Sequence, residues 1–171
     1  RATRWMLSAV GNVCLAMGRS VLPVILKEDG TPFFDGDYKF RYGAIDKIRD
    51  GKDAVILSMG HFAGRALAAR ELLAAEGISV KVLHCASPLG MDSGELFEHI
   101  GALPVVTCED HHADSGLGAA VAMMAARSGL AIKLANMGVT RYGCSGPGEE
   151  VMADMKLAPR DIADTVKGLL N

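Results

Sequence analysis

The densest run of ionisable side chains is Glu109-Asp110-His111-His112-Ala113-Asp114. Two imidazoles and three carboxylates this close could move a proton or ligate a metal ion. Neighbouring His side chains diverge, however, and no distant ligand pair completes a coordination set. We therefore expect a solvated or interface loop here and no metal. Glu109 and His111 remain candidates for contact with a ligand or a partner. His61 and His84 each follow an apolar run. An imidazole at such a turn can act as acid or base, or can be a hydrogen-bonded structural group. Ser87 stands at a comparable position and joins His61 as a ligand or interface candidate.

Arg19 follows the apolar run Asn12 to Met17 through one Gly, in the string GRSVLP. A guanidinium just past a strand can grip a phosphate or carboxylate with two parallel hydrogen bonds, or can simply be solvated. Gly60 and Gly64 bracket a turn before an Ala-rich segment. A dinucleotide loop needs three glycines at another spacing, so a tight strand-to-helix turn is the expectation. Cys14, Cys85, Cys108 and Cys144 form no CxxC pair, which argues against zinc. They read as small hydrophobes in a reducing compartment, and hence as a cytoplasmic protein.

The elements that position these residues follow from periodicity and turn residues. Ala54–Met59 is a strand-length apolar run, His61–Glu76 is helical in composition, and Gly77 ends it before a second β-branched run, 78–84. Further strands are expected at 103–108 and 131–136. Helices are expected at 93–101, 116–127, 148–155 and 160–170. Alternation of this kind predicts an α/β fold: a three-layer, open, mostly parallel twisted sheet with helices on both faces. The ligand crevice of such a sheet lies beyond the carboxyl ends of its strands. Asp92 with Glu95 suits a helix start, Ser115 can cap the helix from Gly116, and Pro159 suits a first helical turn. Leu117, Val121 and Met124, with many Ala beside them, predict a helix covered by a second subunit or domain.

Ala2–Ala9 reads as a helix end and Asn12–Met17 as a strand. Residues 24–45 read as a linker arm anchored by Phe33, Phe34, Tyr38, Phe40 and Tyr42. The compact unit is 46–171. With 171 residues, one domain with a good core is expected. Net charge of −2 offers nothing to nucleic acid or an anionic membrane, and no run is long enough to span a bilayer. The first residue is not Met, and we expect the chain to begin inside a larger protein.

The string GKDAVILSMGHFAGRALAARELLAAEGISVKVL resembles the opening of the transketolase C-terminal domain. VVTCEDHHADSGLGAAVA is similar to that family's strand, acidic residue, His and Gly-Leu-Gly helix start. MGVTRYGCSGPGEEVMADMKLAPRDIADTVKGLL is similar to its tail. AMGRSVLPVI resembles the last strand of the pyrimidine-binding domain, which would place residues 1–23 at the end of that domain. Ser87-Pro88-Leu89-Gly90-Met91-Asp92 departs from the family's Lys-Pro-Leu/Ile-Asp.

The resemblance implies a thiamine-diphosphate- and Mg-dependent transferase. The full enzyme would move a two-carbon ketol unit between sugar phosphates. It implies that Arg19 binds substrate phosphate and that this piece is scaffold and dimerisation module, with no catalytic residue, inactive alone and binding no cofactor. Its partners would be a second copy, an N-terminal subunit or domain, or both. The same domain occurs in deoxyxylulose-phosphate synthases and 2-oxoacid dehydrogenase β chains. A stand-alone regulatory ligand-binding module is the reading outside enzymology.

Overall fold

Ala54–Ser58 (β2) has no exposed residue, and burial on both faces makes it the centre of the sheet. The computed structural model describes residues 1–18 and 21–171. After a short helix α1 (Ala2–Met6), the elements are β1 (Ile45–Arg49), β2, α2 (Phe62–Ala75), β3 (Val80–Cys85) and α3 (Ser93–Ile100). They continue with β4 (Val105–His112), α4 (Leu117–Arg127), β5 (Leu134–Val139), α5 (Gly148–Asp154) and α6 (Pro159–Leu170). The five strands lie in the order β1-β3-β2-β4-β5. The last four are parallel and β1 runs antiparallel to β3.

Strand alternation builds two cores. Ala54, Ile56, Val80, Val82 and Val106 meet Phe62, Ala66 and Leu73 of α2 and Ile162 and Val166 of α6. Val55, Leu57, Leu83 and Val105 meet Leu96 and Ile100 of α3 and Leu117 and Val121 of α4. The three layers are those expected from the alternation.

Several local expectations are corrected. Asn12–Met17 forms no strand: it lies exposed and, among the described residues, has no ladder partner for its N–H and C=O groups. Arg19, next to it, lies outside the described residues. Residues 24–45 are more than a linker. Leu26 bridges Pro32, Ile25 and Phe33 pack on the core, and Trp5 stacks on Tyr42 with centroids 5.2 Å apart. β1, which follows at once, went unpredicted. β4 extends to His112, so Glu109–His112 is strand rather than loop, and β5 begins three residues later than expected, at Leu134. Ser115 caps nothing, since Gly116 is the N-cap of α4. Asp92 does accept from Glu95 N–H at 2.8 Å, while the Glu95 carboxylate turns to Arg41 at 2.7 Å.

Candidate functional site

β2 leads into α2 on one face of the sheet and β4 into α4 on the other. The gap between their carboxyl ends is therefore the switch point, where ligands bind in open α/β sheets. Main chain joins the two strands here, with Met59 N–H donating to Cys108 O at 3.3 Å. His61 is the N-cap residue of α2, held there by Gly60 at φ +56. Its Nε2 pairs with Asp110 Oδ2 on β4, so the two side chains bridge the crevice. The other carboxylate oxygen, Oδ1, is buried and has no hydrogen-bond partner. His111 Nδ1 is 3.3 Å from it but outside hydrogen-bonding geometry, and lies 3.8 Å from Glu109 Oε2.

Glu109 points to the opposite face and is fully buried. Leu117 N–H donates to its Oε2 at 2.6 Å and Gly118 N–H to its Oε1 at 3.0 Å. The carboxylate thus caps α4, satisfying two orphan donors at the positive end of the helix dipole. A Cβ on Gly116 would overlap this carboxylate, and one on Gly118 would overlap Asn136 and Thr107. Gly116 is therefore a close-approach requirement of the Glu109 cap, and Gly118 of the packing of α4 on Thr107 and Asn136.

Ser87 is not part of this constellation. Its Oγ accepts from Gly43 N–H at 2.7 Å and fixes the approach of the chain to β1. His84 is also separate, and buried. Ser58 Oγ–H donates to Leu83 O at 3.0 Å, which leaves His84 Nδ1–H to donate to Ser58 Oγ at 3.1 Å. Burial pushes the His84 imidazole down to about 4, so the ring is neutral at pH 7. Phe34 of the arm lies edge-on to it. Beside it on β1, Asp46 pairs with His84 in the strand register and accepts from Tyr38 O–H at 2.9 Å. Burial raises both the Asp46 carboxyl and the Tyr38 phenol.

At the strand ends Asp110 stands between His61 and His111, Glu109 turns to α4, and Ser87 bonds Gly43. Asp110 was missed as the residue that completes the group. The signal available was strand alternation, which puts Asp110 on the α2 face once Glu109 faces α4. Nε2 of His61 pairs with Asp110, and Glu109 accepts from two amides. Among the described residues no three His, Cys, Asp or Glu side chains are arranged to hold a metal ion. The α2 start is also roofed by Pro23, whose Cγ lies 2.9 Å from where a Gly64 Cβ would stand. Two surface grooves, about 380 and 580 Å³, lie between the arm and the end of β1 and beside α1. No helix among the described residues is long and apolar enough to cross a membrane.

Comparison with known proteins agrees with the architecture. Residues 43–162 match the family model of the transketolase C-terminal domain. A 1-deoxy-D-xylulose-5-phosphate synthase of Geobacillus thermodenitrificans is 31% identical over 144 residues, 82% of this chain and 23% of that protein. An uncharacterised transketolase family protein of Sinorhizobium fredii is 35% identical over 123 residues, 70% of this chain and 33% of its own length. Among solved structures, a split-gene transketolase described as an inactive β4 tetramer superposes with TM-score 0.76 at 29% identity, over 90% of this chain and 48% of that one. The chain thus spans well under half the length of these curated relatives.

Proposed function

This chain belongs to the transketolase C-terminal-domain family, and on that premise we propose that it is the scaffold and subunit-contact part of a transketolase-type transferase. The full assembly moves a two-carbon ketol unit between sugar phosphates with thiamine diphosphate and Mg, in the cytoplasm. In this reading residues 1–23 end a pyrimidine-binding domain, 24–45 form an arm and 46–171 form the C-terminal domain. Arg19 holds the substrate phosphate. The observation that carries the reading is the state of the switch point. His61 pairs with Asp110 across the crevice and Glu109 caps α4, so these strand-end side chains already hold structural bonds. The cofactor and its reacting groups then belong to other polypeptide, and this chain binds no cofactor alone.

Calorimetric titration tests this. The chain alone should give no heat with thiamine diphosphate and Mg. An assembly containing the remaining domains should bind both and transfer ketol units. Arg19→Ala in that assembly should raise KM for phosphorylated substrates far more than for unphosphorylated ones. Tight cofactor binding by the chain alone overturns the reading. The match to a deoxyxylulose-phosphate synthase supports a second reading, in which the same scaffold serves that reaction. Formation of 1-deoxy-D-xylulose 5-phosphate by the assembly, without ketol transfer between sugar phosphates, would select it.

A further inference from the structure

His61 has one ring nitrogen that the fold leaves unused. A carboxylate only accepts, so the neutral imidazole that bonds Asp110 Oδ2 carries its hydrogen on Nε2 and its lone pair on Nδ1. Among the described residues Nδ1 has no partner, and the buried side-chain atom left without one is Asp110 Oδ1. Nδ1 therefore meets solvent, as the 26% exposure of the ring allows. The orphaned Oδ1 also has a consequence for the ring: no other donor shares this carboxylate, so it is free to stabilise positive charge on the imidazole. Donors for an oxyanion lie close by. His61 is the N-cap of the fourteen-residue α2, and among the described residues the N–H groups of Ala63 and Gly64 have no acceptor. Arg65 lies one turn on. Its guanidinium is 5.7 Å from the centroid of Phe62, and the His61 ring is 5.9 Å from the same centroid. Arg65 is 14% exposed, whereas Glu149, its partner, is 83% exposed and is easily replaced by another anion.

We propose that His61 Nδ1 is a phosphoryl acceptor, modified by a small acyl phosphate. The Nδ1 lone pair forms the N–P bond, the P–O bond to the acyl group breaks, and the carboxylate product leaves with that electron pair. The ring becomes positive and keeps its hydrogen on Nε2, against Asp110. Arg65 and the first amides of α2 meet the phosphoryl oxygens. The donor is small because Gly60 and Gly64 lack the spacing of a dinucleotide loop and Pro23 roofs the α2 start. The added negative charge draws Arg65 away from Glu149 and so releases the start of α5 from α2. The Asp110 bond uses only Nε2, so the modification is compatible with its structural role.

The inference goes beyond the scaffold reading and does not depend on ketol transfer or on cofactor binding. Incubating the full chain with acetyl phosphate tests it, followed by phosphorus NMR and by peptide mass spectrometry at alkaline pH, where an N–P bond survives. His61 should be labelled at least about tenfold faster than the exposed His111 and His112, and on Nδ1. His61→Gln should remove that signal. Asp110→Asn keeps the shape of the side chain but no longer opposes a positive ring or fixes the tautomer. It should slow labelling at least about tenfold and spread the label over both ring nitrogens, with circular dichroism unchanged. A purely structural Asp110 would leave the isomer as it is. The rate and isomer in the wild-type chain decide the assignment even where a variant folds poorly. Label confined to His111 and His112, label on Nε2 of His61, or a folded Asp110→Asn chain labelled as fast and as selectively as wild type overturns the proposal.

Discussion

A buried carboxylate is tolerated when its lone pairs are met, and Glu109 meets this condition through two helix N–H groups. Glu109→Ala strands both donors and opens a cavity, and should lower stability by about 2–4 kcal/mol in urea denaturation. Glu109→Gln keeps an acceptor for one donor and should lose less. His84 makes a pH prediction with a definite sign. Burial holds its folded value at about 4, below the unfolded imidazole near 6.5. Only the unfolded chain therefore takes up this proton between these values, so stability is full above pH 6.5 and declines as the pH falls toward 4. The loss approaches about 3 kcal/mol. Asp46, raised by burial, works the other way in acid, and is present in both proteins when wild type is compared with His84→Gln. The difference in unfolding free energy between the two should narrow across that pH range. A parallel pair of pH profiles would show that His84 protonates freely in the fold.

At the scale of elements, the arm and β1 act together. Phe34 shields His84, Tyr38 bonds Asp46, and Arg49 donates to Leu26 O at 2.8 Å. Phe34→Ala should let water reach the imidazole and move its NMR titration midpoint up toward 6.5. An unmoved midpoint would mean that the arm does not cover the ring in solution. Gly43 sits at φ +82 with Gly90 O where a Cβ would stand, so Gly43→Ala combines backbone strain with overlap. It should reduce stability by about 2–3 kcal/mol and loosen β1 amides in hydrogen exchange before those of β2. These elements also show where sequence reading stops. The run Ala54–Ser58 was legible because burial on both faces demands an unbroken apolar string. Ile45–Arg49 was not, because IDKIR is half polar and becomes a strand only through the exposed flank of β3. The bond of Ser87 was not legible for the same reason, since its partner Gly43 is brought near by β1. The strand-end rule located His61, Glu109 and His111 at the carboxyl ends of β2 and β4. The Asp110 pairing depended on where β4 ends, and composition alone does not fix that.

For the whole molecule, the question is which part of the first forty residues the α/β unit needs. Leu7, Val10, Met17, Val21 and Val24 are exposed and contribute little to the fold in this chain. Trp5 adds a stack on Tyr42, and such aromatic pairs contribute about 1 kcal/mol. From Ile25 onward the balance changes. Ile25 and Phe33 pack on the α2 face of the core, Lys27 pairs with Asp35 at 2.8 Å, and Tyr38 covers Asp46. A chain of residues 25–171 should therefore unfold with a midpoint only a few degrees below the full chain. A chain of residues 43–171 should lose the cover of His84 and Asp46 and expose the apolar edge beneath Phe33, a loss of about 3–5 kcal/mol. If 43–171 proves as stable as 25–171, the arm is a passive linker. If 25–171 fails to fold, the exposed Leu7, Val10, Met17, Val21 and Val24 belong to the folding unit after all. The expected order puts the boundary of the folding unit at Ile25, inside the segment that composition marks as a linker arm, and leaves exposed Leu7, Val10, Met17, Val21 and Val24 outside it.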